Sequence, residues 1–388
     1  MNPRVVQNPM DEIKLKAPFP AFGGKSKAAH LVWDRLGDVD NYIEPFAFSA
    51  ACLLARPAEH VPRVESLGDS NDFVVNFWRA TKYAPDEVAE HADNPVNETD
   101  LFARHKWLML SPEAARFRAA MRDDPEYFDA KIAGWWCWGA CCWIGSGWCE
   151  DPKNAMSQKM PRAHRGNDGK PWNLPGILYG DIAPRRPQLA DAYSRGRGVN
   201  GNDGALTCAE RRAFLTDWFN RLRDRLRPVR VCCGDWIRVC DSYSVTTRLG
   251  LTGVFLDPPY AHDLGRFHGW VRHLQGEGPP PGDATGKASR NKNLYANDRT
   301  QDVDRLVADV HMYCRERGTD PLMRLALAGY AGEHEALEGI GWSVVEWKGR
   351  GGYANQGENR GLNDARERIW FSPHCLRPGN GISQMEMF

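Results

Sequence analysis

The sequence predicts an α/β fold in two parts, a sheet that begins within the first 85 residues and resumes at about residue 229, with a helical and loop-rich insertion between them. Three observations predict it. From Lys14 to about Ala80, short apolar strands alternate with stretches of helical period. Residues 86 to 130 turn polar and charged, and from Cys149 to about Asn202 Gly, Pro, Asn and Arg dominate with no sustained period, which reads as long surface loops. After 229 the apolar strands return.

Taken in order, Gly23-Gly24-Lys25-Ser26 opens a helical stretch that runs through Leu36. Tyr42-Ile43 reads as a short buried strand, and Ala50 to Ala55 is apolar at helical density. Helical stretches follow at Leu101 to Leu110 and Pro112 to Met121. From Ala133 to Ile144, Trp and Cys occupy nearly every helical face, which predicts a core helix over 131–144 that is buried all round. A helix over Ala209 to Arg225 leads into the strand Val229-Arg230-Val231-Cys232-Cys233. A second strand, Gly253-Val254-Phe255-Leu256, ends at Asp257-Pro258-Pro259-Tyr260. Residues 275–293 are Gly-, Pro- and Ser-rich, the composition of a flexible insertion. A helix over Asp302 to Arg317 and strands at Leu322 to Ala328, Trp342 to Trp347 and Arg368 to Phe371 complete the chain.

Composition excludes several classes. At 388 residues and 42% hydrophobic content the chain can bury a real core, so it is neither disordered nor disulfide-stapled. No apolar run reaches eighteen residues, which predicts no membrane partner. The N-terminal segment lacks an apolar signal core, so the expected location is the cytoplasm, with the 11 cysteines as thiols. No paired Cys-x-x-Cys unit is present, so the cysteines are read as packing residues and no metal site is expected. Fifty basic residues balance fifty acidic ones, and any polyanion must therefore meet a local patch.

Asp257-Pro258-Pro259-Tyr260 carries the most chemistry. A carboxylate at a strand end and the carbonyl of the next residue, held rigid by Pro-Pro, can accept both hydrogens of an exocyclic amine and aim its lone pair at an electrophile. An aromatic ring three residues on can stack on the heterocycle bearing that amine. With this tetrapeptide in place the sequence resembles the amino-group DNA methyltransferases, and in motif order the Dam-like (D12 class) N6-adenine type of the stand-alone kind that phages and prophages carry. Pro18-Phe19-Pro20-Ala21-Phe22-Gly23-Gly24-Lys25 comes first, then Tyr42-Ile43-Glu44-Pro45-Phe46, then Gly68-Asp69-Ser70-Asn71. Cys233-Gly234-Asp235-Trp236 precedes the late Asp-Pro-Pro-Tyr.

The resemblance implies a Rossmann-like, S-adenosylmethionine-dependent methyltransferase sheet with an inserted target-recognition region. Residues 14–85 and 229–388 would form the catalytic domain, and 86–228 the recognition region. It implies Asp257, Pro258, Pro259 and Tyr260 as catalytic residues. The implied cofactor site is Phe22, Gly23, Gly24, Lys25, Glu44, Pro45, Phe46, Asp69, Asp235 and Trp236. Glu44 would face the charged methionine part, Asp69 the ribose hydroxyls and Asp235 the adenine. Gly23-Gly24 permits close backbone approach, and the helix opened at Lys25 suits the carboxylate of an amino-acid-like ligand. One position departs from the family. Phe46-Ala47-Phe48-Ser49-Ala50 has Phe48 where a Gly is usual, and a side chain there narrows the pocket or needs a positive φ that Phe disfavours.

Between Arg195 and Arg230 nine arginines face four acidic residues, a local balance of +5. A solvated helix face would give the same composition. As a recognition segment it would supply phosphate and base-edge contacts to double-stranded DNA, with Arg165, Arg195 and Arg197 as the named candidates. The expected activity is methyl transfer from S-adenosylmethionine to N6 of a flipped-out adenine in the cytoplasm of a bacterial or phage-infected cell, with no obligate protein partner. The alternatives are a cytosine-N4 or RNA amino-methyltransferase, and a catalytically impaired DNA-binding relative.

Overall fold

In each central strand alternate residues are apolar on both sides, so the sheet has no face to give to water. The computed structural model describes residues 15–21, 25–60, 64–124, 126–143, 148–149, 198–201, 206–282, 302–347 and 367–377. Among the described residues seven strands form one sheet: β1 (Asn41–Glu44), β2 (Val64–Asp69), β3 (Val229–Cys233), β4 (Thr252–Leu256), β5 (Met323–Tyr330), β6 (Ser343–Glu346) and β7 (Glu367–Phe371). Their order is β3-β2-β1-β4-β5-β7-β6. The first five are parallel, and β7 runs antiparallel to both β5 and β6. Tyr42, Leu67, Phe255, Ala326, Ile369 and Phe371 pack on one face with Trp33 and Leu36 of α1 (Ala29–Leu36). The residues between them, Ile43, Val254, Leu256, Leu325, Leu327 and Trp370, pack on the other. There they meet the helix Val303–Arg317 through Val310, Tyr313 and Cys314.

The short helix α2 (Ala51–Leu54) follows β1, and α3 (Asp72–Tyr83) follows β2 with Asn71 accepting from Phe73 N at its start. The insertion continues with α4 (Pro85–Ala92), α5 (Glu98–Leu110), α6 (Pro112–Asp123) and α7 (Ala130–Cys142). Asn97, Ser111 and Asp129 cap the last three through side-chain oxygens. Helix α7 is buried almost all round, as its Trp/Cys pattern predicts, and its Cys137 and Cys141 thiols point at the Pro18 carbonyl. At Gly134 a methyl group would strike His91 and the Val88 carbonyl of α4, so this crossing needs glycine. Helix α8 (Cys208–Leu226) opens with a Thr207–Glu210 capping box, packs on α3 and delivers the chain to β3. Its Leu215, Phe219 and Leu222 belong to the same core as α7 and the sheet face under α1.

The sequence reading left residues 264–274 without an element and gave the antiparallel strand no direction. They form α9 (Leu264–Leu274), capped by Asp263; α10 (Val303–Arg317), capped by Asp302, follows. Of the flexible insertion expected at 275–293, residues 283–293 lie outside the described part. Among the described residues no helix is long and apolar enough to cross a membrane.

Candidate functional site

Because β1 to β4 are parallel and in register, their carboxyl ends open on one edge, and the chain order reverses between β1 and β4. Such a reversal leaves a crevice where open α/β sheets bind ligands. A cavity of about 370 Å³ lies there, within the size range of small-molecule sites. Lys25, Glu44, Pro45, Phe46, Asp69, Asp235, Trp236, Asp257 and Pro259, scattered over more than 230 positions of the chain, all line it.

Glu44 ends β1 and is 3% exposed. Its Oε2 accepts from the Tyr42 hydroxyl at 3.1 Å and from Leu53 N at 3.0 Å. Burial nonetheless pushes its carboxyl up to about 8, against the pull of these donors, and the nearby Asp257 charge adds to the rise. Asp69 ends β2. Its two oxygens accept from Asn71 N at 2.8 Å and Phe48 N at 3.0 Å, and burial pushes it up to about 6. Asp69 thus ties the turn after β1 to the end of β2.

That turn carries the departure seen in the sequence. Phe48 sits at φ 33° and Ala50 at φ 49°, the left-handed region that favours glycine. Three contacts hold Phe48 there. Its N–H donates to Asp69, its carbonyl accepts from Trp78 Nε1 at 2.8 Å, and its ring meets Phe19 and Trp136 edge-on at 5.6 and 6.3 Å. Phe48 also lines the cavity. Farther along, Asp235 caps the short turn Trp236–Val239, and the Trp236 ring stacks on Phe46 at 5.8 Å.

At the other end lie Asp257, Pro258, Pro259 and Tyr260. Lys25, 3% exposed, places Nζ 2.9 Å from Asp257 Oδ1 and donates to the Tyr260 hydroxyl at 2.6 Å. Among the described residues no hydrogen-bond donor meets the Pro258 carbonyl. The Tyr260 ring lies 4.3 Å from that of Tyr330, and burial raises its phenol well above the ordinary value. Just beyond, Glu333 accepts from Ala261 N at 2.8 Å, and Asp304 accepts from His262 N and Asp263 N at 2.6 and 3.0 Å. The tetrapeptide is therefore clamped by β4 before it and by two buried carboxylates after it.

Sequence reasoning missed this clamp and the far wall of the cavity, where Asp302, Arg305 and Asp309 of α10 face Asp235. Arg305 Nε lies 3.3 Å from Asp309, whose carboxyl is raised by burial. Tyr330 ends β5 and Glu333 follows three residues on, the kind of position that holds Asp69 and Asp257, and that was the available signal. Among the described residues the lining carries six carboxyl groups (Glu44, Asp69, Asp235, Asp257, Asp302, Asp309) and two cations (Lys25, Arg305). The cavity is anionic.

Phe22, Gly23 and Gly24, and the DNA candidates Arg165, Arg195 and Arg197, lie outside the described residues. The rest of the Arg-rich segment divides. Arg211 pairs with Asp93 at 2.6 Å, Arg223 with Asp224, and Arg225 reaches Glu65 near the start of β2. The C-terminal half of α8 runs to the amino edge of the sheet, away from the cavity. There Arg223 and Arg225 are paired with carboxylates. No protein-family model matches this chain, and no curated protein matches it.

Proposed function

We propose that this protein is an S-adenosylmethionine-dependent DNA methyltransferase acting on N6 of adenine. The observation that carries the reading is the convergence of Glu44, Asp69, Asp235 and Asp257, each at or just past a strand end, on one anionic cavity, with Pro259 in its lining and Tyr260 tied to Asp257 through Lys25. A dinucleotide or nucleotide cofactor would bring phosphates, which need helix amides or cations and a Gly-rich turn after the first strand. This turn has two phenylalanines and Asp69 beside it. The sheet order supports the same choice. It departs from the dinucleotide-binding order 3-2-1-4-5-6 by the antiparallel β7 between β5 and β6.

The donor set fits the proposed cofactor. Phe46 and Trp236 offer aromatic surface to a nucleoside, Asp235 an acceptor for an amino group, and Glu44 a proton-bearing carboxyl that ionises beside a cation. When bound, S-adenosylmethionine supplies an electrophilic methyl group on a positive sulfur. Asp257 and the Pro258 carbonyl accept the two hydrogens of the target amine, and Tyr260 gives the base a stacking surface. Adenine N6 is out of reach inside a duplex, so the base must leave the stack.

Phe48 favours a second reading, a DNA-binding relative that has lost transfer, because its ring takes cavity space where the resembling family has glycine. Tritiated methyl transfer to unmethylated DNA decides between them. The expected product is N6-methyladenine, with a loss of about 10²–10³-fold or more in Asp257→Ala. DNA binding without transfer selects the second reading. Label on cytosine N4, or on RNA alone, moves the activity to another amine, and label on cytosine C5 rules out the amine-holding mechanism.

A further inference from the structure

The groups placed to hold the target amine are already holding an amine. Lys25 Nζ lies 2.9 Å from Asp257 Oδ1 and 2.6 Å from the Tyr260 hydroxyl, and rests over the Tyr260 and Trp347 rings at 5.2 and 5.8 Å. A buried ammonium in that place satisfies Asp257 and blocks it. The proposed cofactor poses a second demand, because its amino-acid arm ends in a carboxylate that must enter an anionic cavity. Among the described residues the lining offers two cations, and Arg305 is paired with Asp309 on the far wall. Lys25 is left to meet the incoming carboxylate.

We propose that Lys25 exchanges between two carboxylates, Asp257 in the resting protein and the α-carboxylate of the cofactor in the loaded one, so that a bound cofactor uncovers the amine acceptor. This rests on the methyltransferase reading and adds an order to it: cofactor first, base second. The resting pair guards the acceptor until a methyl donor is in place. Because the two carboxylates compete for one ammonium, the coupling is reciprocal, and weakening either partner strengthens the other.

Isothermal titration with S-adenosylhomocysteine tests it, since this product keeps the carboxylate and lacks the sulfonium charge that Asp257 would attract directly. In Asp257→Asn the affinity is expected to rise about 5- to 10-fold over wild type, the range of ordinary coupling energies. For 5′-methylthioadenosine, which has no carboxylate, it is expected to stay within about twofold. Lys25→Met should weaken S-adenosylhomocysteine, and adding Asp257→Asn to it should restore nothing. Equal or weaker S-adenosylhomocysteine binding by Asp257→Asn overturns the exchange and leaves the methyltransferase reading standing. So does an equal gain for both compounds. If wild type binds neither compound, the methyltransferase reading falls and the exchange falls with it.

Discussion

Strands β1 and β2 bury a glutamate near each edge of the sheet, and the two are treated in opposite ways. Near the amino edge Glu65, 1% exposed, accepts from Arg225 at 2.6 and 2.8 Å and from Arg56 at 3.3 Å, so a planar carboxylate is met by two guanidiniums. At the carboxyl edge, two residues farther along the pair, Glu44 is just as buried. Its partners are the Tyr42 hydroxyl and the backbone amides that open α2, and among the described residues no cation forms an ion pair with it. The first arrangement completes itself. The second is complete only when a cation arrives, and that unfilled demand distinguishes a binding carboxylate from a structural one.

The contrast can be broken at either edge. Glu65→Gln leaves two guanidiniums facing a neutral amide in a dry interior, and is expected to lower unfolding free energy by about 3–5 kcal/mol in urea denaturation. Glu44→Gln should do the reverse. In the folded chain Glu44 keeps its proton up to about 8, against an ordinary 4.5, so between those values the folded state binds more protons than the unfolded one. Stability therefore falls as pH rises through that window. Asp69, raised from 3.8 to about 6, adds the same sign over the lower part. Glu44→Gln is expected to flatten the slope of Tm against pH above 6, while abolishing S-adenosylmethionine binding. In wild type at pH 7 that binding should release protons, read from titration heats in buffers of different ionisation enthalpy.

Smaller effects sharpen the picture. Phe48→Gly relieves a left-handed phenylalanine, worth about 1–3 kcal/mol, and gives up a half-buried ring of similar worth. Stability should change by less than about 1 kcal/mol, and S-adenosylhomocysteine should bind more tightly. The smallest change is expected from Arg223→Ala, paired with Asp224 near the far edge. DNA affinity and its salt dependence should stay as in wild type, and a lost phosphate contact, seen as a salt slope shallower by about one, would place DNA at that edge instead.

Asp257 was legible because an apolar strand stops at it, whereas Glu44, Asp69 and Asp235 came from the motif order of the resemblance, since Val64-Glu65-Ser66-Leu67-Gly68 is no apolar run; a parallel sheet then gathers these ends on one side. The fold class was legible from such apolar strands, and Val229–Cys233 and Gly253–Leu256 were placed within a residue or so of β3 and β4. Pairing was not. Nothing local distinguishes Arg225, which crosses to Glu65, from Arg212, which stays in water, since the difference lies in which helix face meets the sheet. The Glu333 clamp escaped for a related reason, as its partner Ala261 lies 72 residues away. The positive φ at Phe48 was one of the two consequences expected from the glycine usual at that place in the resembling family. The aromatic cluster that sustains it was not expected, because Phe19 and Trp136 come from distant segments.

The neighbours β1 and β4 impose an order of assembly. Asn41 and Thr252, 211 positions apart, bond to each other, so the centre of the sheet cannot close until the whole insertion has been synthesised. During translation the first two strands wait with one flank unpaired, a slow and aggregation-exposed interval for long-range parallel pairing. Helix α3 arrives in that interval and packs on β2, and α4 and α7 then pack on α3. The insertion then serves the nascent chain as a shield before the cavity exists.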